Sequence, residues 1–161
     1  MPPAPARLIT SDLFAQVLEQ ARAAPRRRMN FNFHASLEEN PSRFLNVMLA
    51  GTYITPHRHT EPPKAESFLV LAGRIAFFLF DDAGAVNAAH VIEAGGPLVG
   101  IDVSPGVWHT AAVLSEHVVC FEVKPGPYSP AADKDFAPWA PREGSPEAPA
   151  YLEALISRVG C

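Results

Sequence analysis

Residues 44–124 carry their apolar side chains in runs of four to eight, each closed by glycine, proline or an acidic turn. Runs this short, rich in branched and aromatic residues, predict strands rather than helices. They fall at residues 44–49, 52–55, 67–71, 74–80, 85–92, 98–103, 110–114 and 118–124. The breaks between them are explicit: Gly51, Ala72-Gly73, Asp81-Asp82-Ala83-Gly84 and Gly95-Gly96-Pro97. The 17 prolines and 10 glycines are spread along the chain rather than gathered in one block. Such a series predicts a mainly β fold, a sandwich or a jelly-roll barrel.

Helical spacing flanks the series. Residues 10–24 predict a helix, capped by Thr10 or Ser11, with Leu13, Phe14, Val17, Leu18 and Ala21 on one face and Pro25 just beyond its end. Residues 125–149 are proline-rich and predict an extended wrap over the barrel. Ser145-Pro146-Glu147 then opens a last helix, with Ser145 as its cap and Tyr151, Leu152, Leu155, Ile156 and Val159 at helical spacing. The expected organisation is a helical extension over 1–28, a barrel over 29–124 and a tail with a helix over 125–161, forming one domain. Residues 1–5 are expected to be disordered and Cys161 mobile.

The charge balance excludes some partners. Thirteen basic residues face 17 acidic ones, for a formal charge of −4. A nucleic-acid or anionic-membrane surface would need a basic excess. The cluster Arg26-Arg27-Arg28 reads as a solvated link after the helix, or as an anion-contacting arm. No stretch nears the roughly 20 apolar residues of a membrane span. Cys120 reads as a small buried hydrophobe, and two cysteines make no disulfide framework. These features predict a cytoplasmic protein with a small-molecule ligand. Uncovered strand edges predict a homodimer.

The chemistry lies in two separated stretches. The first is Gly51-x5-His57-x-His59-x6-Glu66-x6-Gly73. Residues two apart on a strand share a face, so His57 and His59 project together while Arg58 points away. Glu66 opens the next strand. Glu61 is a rival carboxylate, closer in sequence to His59. The second stretch is Pro105-Gly106-Val107-Trp108-His109, a turn that lets His109 open a new strand. Three imidazoles and one carboxylate suit one divalent transition metal (iron, manganese, nickel or zinc) with coordination positions left open.

These stretches resemble the two cupin motifs, Gly-x5-His-x-His-x3-4-Glu-x6-Gly and Pro-x-Gly-x2-His, here with a wider gap between His59 and Glu66. The resemblance implies a cupin jelly-roll β-barrel, or double-stranded β-helix, with His57, His59, Glu66 and His109 as metal ligands. Residues 51–59, 80–84 and 105–110 are also similar to the WbuC-type cupin-fold metalloproteins of bacterial O-antigen gene neighbourhoods. So are the tail stretches 121–128 and 133–141.

Further residues are candidates for a ligand pocket. Tyr53 and Thr55 share the parity of His57 and His59, which predicts that both face the barrel interior, Tyr53 as a proton carrier. Glu122 and Lys124 alternate with apolar residues on the last strand. They face inward as an acid/base and an anion-holding lysine, or else face solvent. Lys64 is a candidate for holding an acidic substrate at the mouth, His34 for a lid and Trp108 for a pocket wall. His90 and His117 read as surface residues. The expected activity is metal-dependent isomerase, epimerase or dioxygenase chemistry on a small carbohydrate or organic acid. The alternative is a non-catalytic sugar-binding module.

Overall fold

The computed structural model describes residues 5–131 and 133–160. The expectations for residues 1–4 and Cys161 lie outside them. Helix α1 (Ser11–Ala23) starts where Thr10 Oγ1 accepts from the Leu13 N–H at 3.2 Å. That bond satisfies one of the amides left free at a helix start. Asp12 in the first turn and Arg22 in the last suit the helix dipole.

Ten strands follow: β1 (Arg28–Asn32), β2 (Ser42–Leu49), β3 (His57–Arg58), β4 (Glu66–Ala72), β5 (Arg74–Phe80), β6 (Val86–Glu93), β7 (Gly100–Val103), β8 (Trp108–Val113), β9 (His117–Lys124) and β10 (Asp135–Phe136). Helix α2 (Ala148–Ile156) ends the fold. The strands form two antiparallel sheets, β1-β2-β9-β4-β7 and β10-β3-β8-β5-β6. From β2 onward the chain passes repeatedly from one sheet to the other, among other places at Gly73 and between β8 and β9, the connectivity of a jelly roll. Gly73 has φ +77°, and a Cβ there would lie 2.3 Å from the His117 carbonyl oxygen.

Three apolar layers explain the sequence pattern. Between the sheets lie Met48, Val70, Ile75, Phe77, Ile92 and Val118. Outside the first sheet, Val17 and Ala21 of α1 meet Leu45, Val47 and Val119. Outside the second, Leu152 and Leu155 of α2 meet Ala76, Phe78 and Phe80. Strand β5 is therefore buried on both faces, and Ile75-Ala76-Phe77-Phe78 reads as an unbroken apolar run. Burying a side chain such as Phe77 contributes about 2–3 kcal/mol.

Three expectations need correction. Residues 52–55 form no strand but an irregular approach to β3. Ser145 is not the helix cap. Glu147 precedes α2 without a side-chain capping bond, and Ser145 Oγ is buried without a partner. The chain leading to His34, the lid candidate, is not free but forms strand β1, paired along its length with β2. Among the described residues no helix is long and apolar enough to cross a membrane.

The interior between the sheets is apolar at one end only. At the other it opens into a cavity of about 450 Å³ lined by charged and amide side chains.

Candidate metal centre

His57 on β3 pairs in register with His109 on β8, which sets their ring centroids 4.5 Å apart. Glu66 opens β4 in the facing sheet. His59 follows β3 directly. The ligand atoms of His57, His59, Glu66 and His109 all lie within 4.8 Å of one another, and all four residues are buried. Phe77 stacks on His109 from within the barrel, 5.6 Å between centroids at 9°. Glu61, the rival carboxylate, is exposed on the preceding loop.

Backbone carbonyls fix the tautomers. His57 Nδ1 lies 3.0 Å from the Thr55 oxygen, and His109 Nδ1 lies 2.8 Å from that of Val107. His59 Nδ1 meets the Asp133 carbonyl. A carbonyl only accepts, so each Nδ1 carries the proton and donates it. Each neutral ring then turns a bare Nε2 lone pair inward. His59 Nε2 is 3.1 Å from Glu66 Oε1, and His109 Nε2 is 3.0 Å from Glu66 Oε2. Lone pairs facing a carboxylate at that distance repel unless a cation or proton lies between them. His59 Nε2 is buried with no hydrogen-bond partner. The donor set fits a divalent ion: bonds of about 2.0–2.2 Å need ligand atoms no more than about 4.4 Å apart, a small contraction from the spacing seen.

The protonation states agree with ligation. Burial, then the charges of Lys134 and His109, holds the His57 pKa well below the imidazole range. Burial alone would raise Glu66, but its close contacts with the His109 and His59 rings and the charge of Lys124 outweigh it and hold its pKa well below the usual carboxylate range. Neutral imidazoles and an ionised carboxylate are the forms that bind metal.

Two other charged groups line the cavity. Glu122 points inward from β9 and accepts from Asn46 Nδ2 at 2.7 Å. Burial, then the charge of Glu66, pushes its carboxyl up to about 7. Lys124 also faces inward, 2.7 Å from Asp133 Oδ2 and 3.4 Å from Glu66 Oε1. Of the two orientations open for these residues, the inward one holds, and Phe121 turns out toward α1. His34 lines the cavity from just beyond β1, its Nδ1 accepting from the Arg43 N–H at 3.1 Å.

Four other candidates lie elsewhere. Tyr53 packs behind the second sheet, edge-on to Tyr151, and its hydroxyl donates to the Pro141 carbonyl at 2.8 Å. Burial raises its pKa further from use as an acid. Thr55 Oγ1 accepts from the Glu143 N–H at 2.8 Å. Strand parity fails for both because residues 52–55 are not a strand. Trp108 precedes His109 on β8 and so faces the opposite way, donating to Asp82 Oδ1 and lying under Arg58. Lys64 is not at the mouth. It is 3% exposed, bound to the Pro127 carbonyl and to Asp133 Oδ1.

Asn46 of β2 and Lys134 line the cavity unforeseen; Arg28, from the arginine cluster read as a solvated link or an anion-contacting arm, lines it too, with Asn30 and Asn32 of β1. The alternation Arg28-Met29-Asn30-Phe31-Asn32 is itself a strand signal with its polar face toward the mouth. Lys134 has no local signal, because the pairing of β10 with β3 brings it there. Arg28 is held by Glu143 through two contacts of 2.8 Å.

A jelly roll whose interior holds three histidines and a glutamate around one point has the cupin fold, with a site able to hold a metal ion. A family model described as Domain of unknown function (DUF6016) matches residues 9–92, and the chain belongs to that family. No curated protein matches in sequence. Similar solved structures include a Klebsiella pneumoniae protein with a double-stranded β-helix domain (TM-score 0.60, 14% identity, 85% of this chain and 96% of that one). TT1209 from Thermus thermophilus has TM-score 0.55 at 12% identity, over 74% and 97% of the two chains. The capsular polysaccharide assembling protein CapF from Staphylococcus aureus has TM-score 0.55 at 19% identity, over 66% of this chain. This chain spans only 31% of that CapF chain. At such identities the likeness is one of fold.

Proposed function

We propose that the protein is a metal-dependent enzyme that moves a proton on a small polar metabolite, a carbohydrate or an organic acid. The observation that carries this reading is the placement of Glu122. A carboxyl held near neutrality shares one cavity with four converging ligand groups. A bound divalent transition ion, iron, manganese, nickel or zinc, would supply Lewis acidity to a ligand oxygen. Glu122 stands where it can take or return a proton on that ligand, and burial raises its carboxyl toward the neutral range where general acid–base catalysis is most effective. Asn46 orients that carboxyl. The resemblance to WbuC-type proteins, and the likeness in fold to a protein named for capsular polysaccharide assembly, support a carbohydrate-related ligand.

Elemental analysis of protein purified without chelator tests the metal. About one transition metal per chain is expected, and its loss in the His57→Ala/His109→Ala variant. No metal in either protein after reconstitution would remove the basis for the proposal. Exchange of ligand C–H protons into D2O, followed by NMR, tests the proton step. It is expected in the wild type and lost in Glu122→Gln. Binding with no exchange in either protein would leave the chain a ligand-binding module.

A further inference from the structure

Lys134 stands apart from the other cations around the cavity. Lys64 and Lys124 share the Asp133 carboxylate, and Arg28 is held by Glu143. Lys134 lines the cavity but has no ion-pair partner among the described residues. Burial, then the charges of Lys124 and Arg28 among others, lowers its pKa. The groups deepest in the site are out of balance. At the cavity wall Glu66 and Asp133 stand with Lys124 and Lys134, Lys64 sits behind Asp133, and a divalent ion would add two more positive charges. Ionisation of Glu122 offsets only one of them. A desolvated site with that surplus favours an anion.

The uncharged lining narrows the class. Asn30 and Asn32 face the mouth from β1. Asn46 Oδ1 and Ser42 Oγ are buried without partners, and both residues line the cavity. An unpaired buried acceptor calls for a hydroxyl. Phosphate fits poorly, because neither α1 nor α2 begins at the cavity and, among the described residues, only one cation lining it is unpaired.

We propose that the cavity binds a small hydroxycarboxylate, with Lys134 as the counter-ion of its carboxylate and the amides of Asn30, Asn32 and Asn46 meeting its hydroxyls. This rests on the reading above and names the substrate class. A sugar acid satisfies both halves of that reading, being a carbohydrate and an organic acid at once.

Calorimetric titration of the metal-loaded protein with gluconate, with its uncharged counterpart sorbitol and with inorganic phosphate tests the class. Gluconate is expected to bind about tenfold more tightly than sorbitol or phosphate, the scale of one charge-assisted contact. Lys134→Met should lose about tenfold for gluconate and change little for sorbitol, while Lys134→Arg restores gluconate binding. Circular dichroism and metal content accompany every variant. Equal gluconate affinity in wild type and a folded, metal-loaded Lys134→Met variant overturns the proposal. So does phosphate or sorbitol binding as well as gluconate, or no gluconate binding to loaded protein; the metal reading survives these results. If the chain takes up no metal, the earlier reading fails and the same titration is run on metal-free protein. Binding that depends on Lys134 then sustains the anion site, and its absence overturns it.

Discussion

Burial gives Glu122 a pH-dependent effect on stability. Its folded pKa of about 7 lies above the ordinary carboxylate value, so the native state binds this proton more tightly than the unfolded chain. The stability this confers is fully present below about pH 4.3 and is lost as pH rises through 7. The groups acting on it come from each surrounding element: Asn46 from β2, Glu66 from β4, Lys124 from its own strand and Lys134 from the tail. Glutamine cannot ionise and still accepts from Asn46. Melting of chelator-treated protein should therefore show Glu122→Gln gaining on wild type between pH 5 and pH 8, by up to about 3 kcal/mol. A gap that stays constant with pH would mean that the carboxyl titrates normally. Residues of this kind divide cleanly in the sequence. His57, His59, Glu66 and His109 were legible because their spacing and flanking glycines form a joint pattern. Tyr53, Thr55 and Trp108 were misread because parity fixes direction only within a real strand, and only relative to a known neighbour. Lys64 was misread because its partner, Asp133, lies 69 residues away.

At the scale of elements, the long strands were legible and the short ones were not. β5 was foreseen to the residue and β2, β4, β6, β8 and β9 nearly so, because apolar runs end at real turns. β3 and β10 are two residues each and exist only through pairing, His57 with Phe136 and Arg58 with Asp135. No run of residues announces such a strand. The two motif glycines also differ in what they do. Gly51 has φ +84°, but a Cβ there would meet only Arg27 Nε at 3.8 Å. Gly73 has a similar φ, and its Cβ would strike the His117 carbonyl and Ser115 Oγ, at the crossing between the sheets. Gly51→Ala should cost about 1 kcal/mol, from left-handed strain alone. Gly73→Ala should cost about 3 kcal/mol or more, because strain and overlap with backbone add. Urea denaturation of both variants checks the order. Equal losses would show that the β4–β5 corner relaxes freely.

Across the whole molecule, Asp133 couples the tail to the barrel. Its carboxylate bridges Lys64 of the loop before β4 and Lys124 at the end of β9. Its carbonyl accepts from His59 Nδ1, so the segment that covers the cavity also orients a metal ligand. Burial raises the Asp133 pKa, but Lys124 and Lys64 outweigh it and hold the group below the usual range. The stability it brings is thus present above the ordinary carboxylate value and lost as pH falls. Asp133→Asn leaves two buried ammonium groups short of their anion, a loss of about 3 kcal/mol. The same change loosens the carbonyl that holds His59, and displacing such outer partners weakens metal affinity about tenfold. Glu143, which clasps Arg26 and Arg28 on the far side of the tail, gives the control. Glu143→Gln should lower the melting temperature and change metal affinity far less than Asp133→Asn, since its backbone reaches His57 only at one remove, through Thr55. Melting and competition with a metallochromic chelator, run on both variants, separate the two roles. Equal metal affinity in Asp133→Asn and wild type would make the tail a brace for the barrel, with no hold on the metal site.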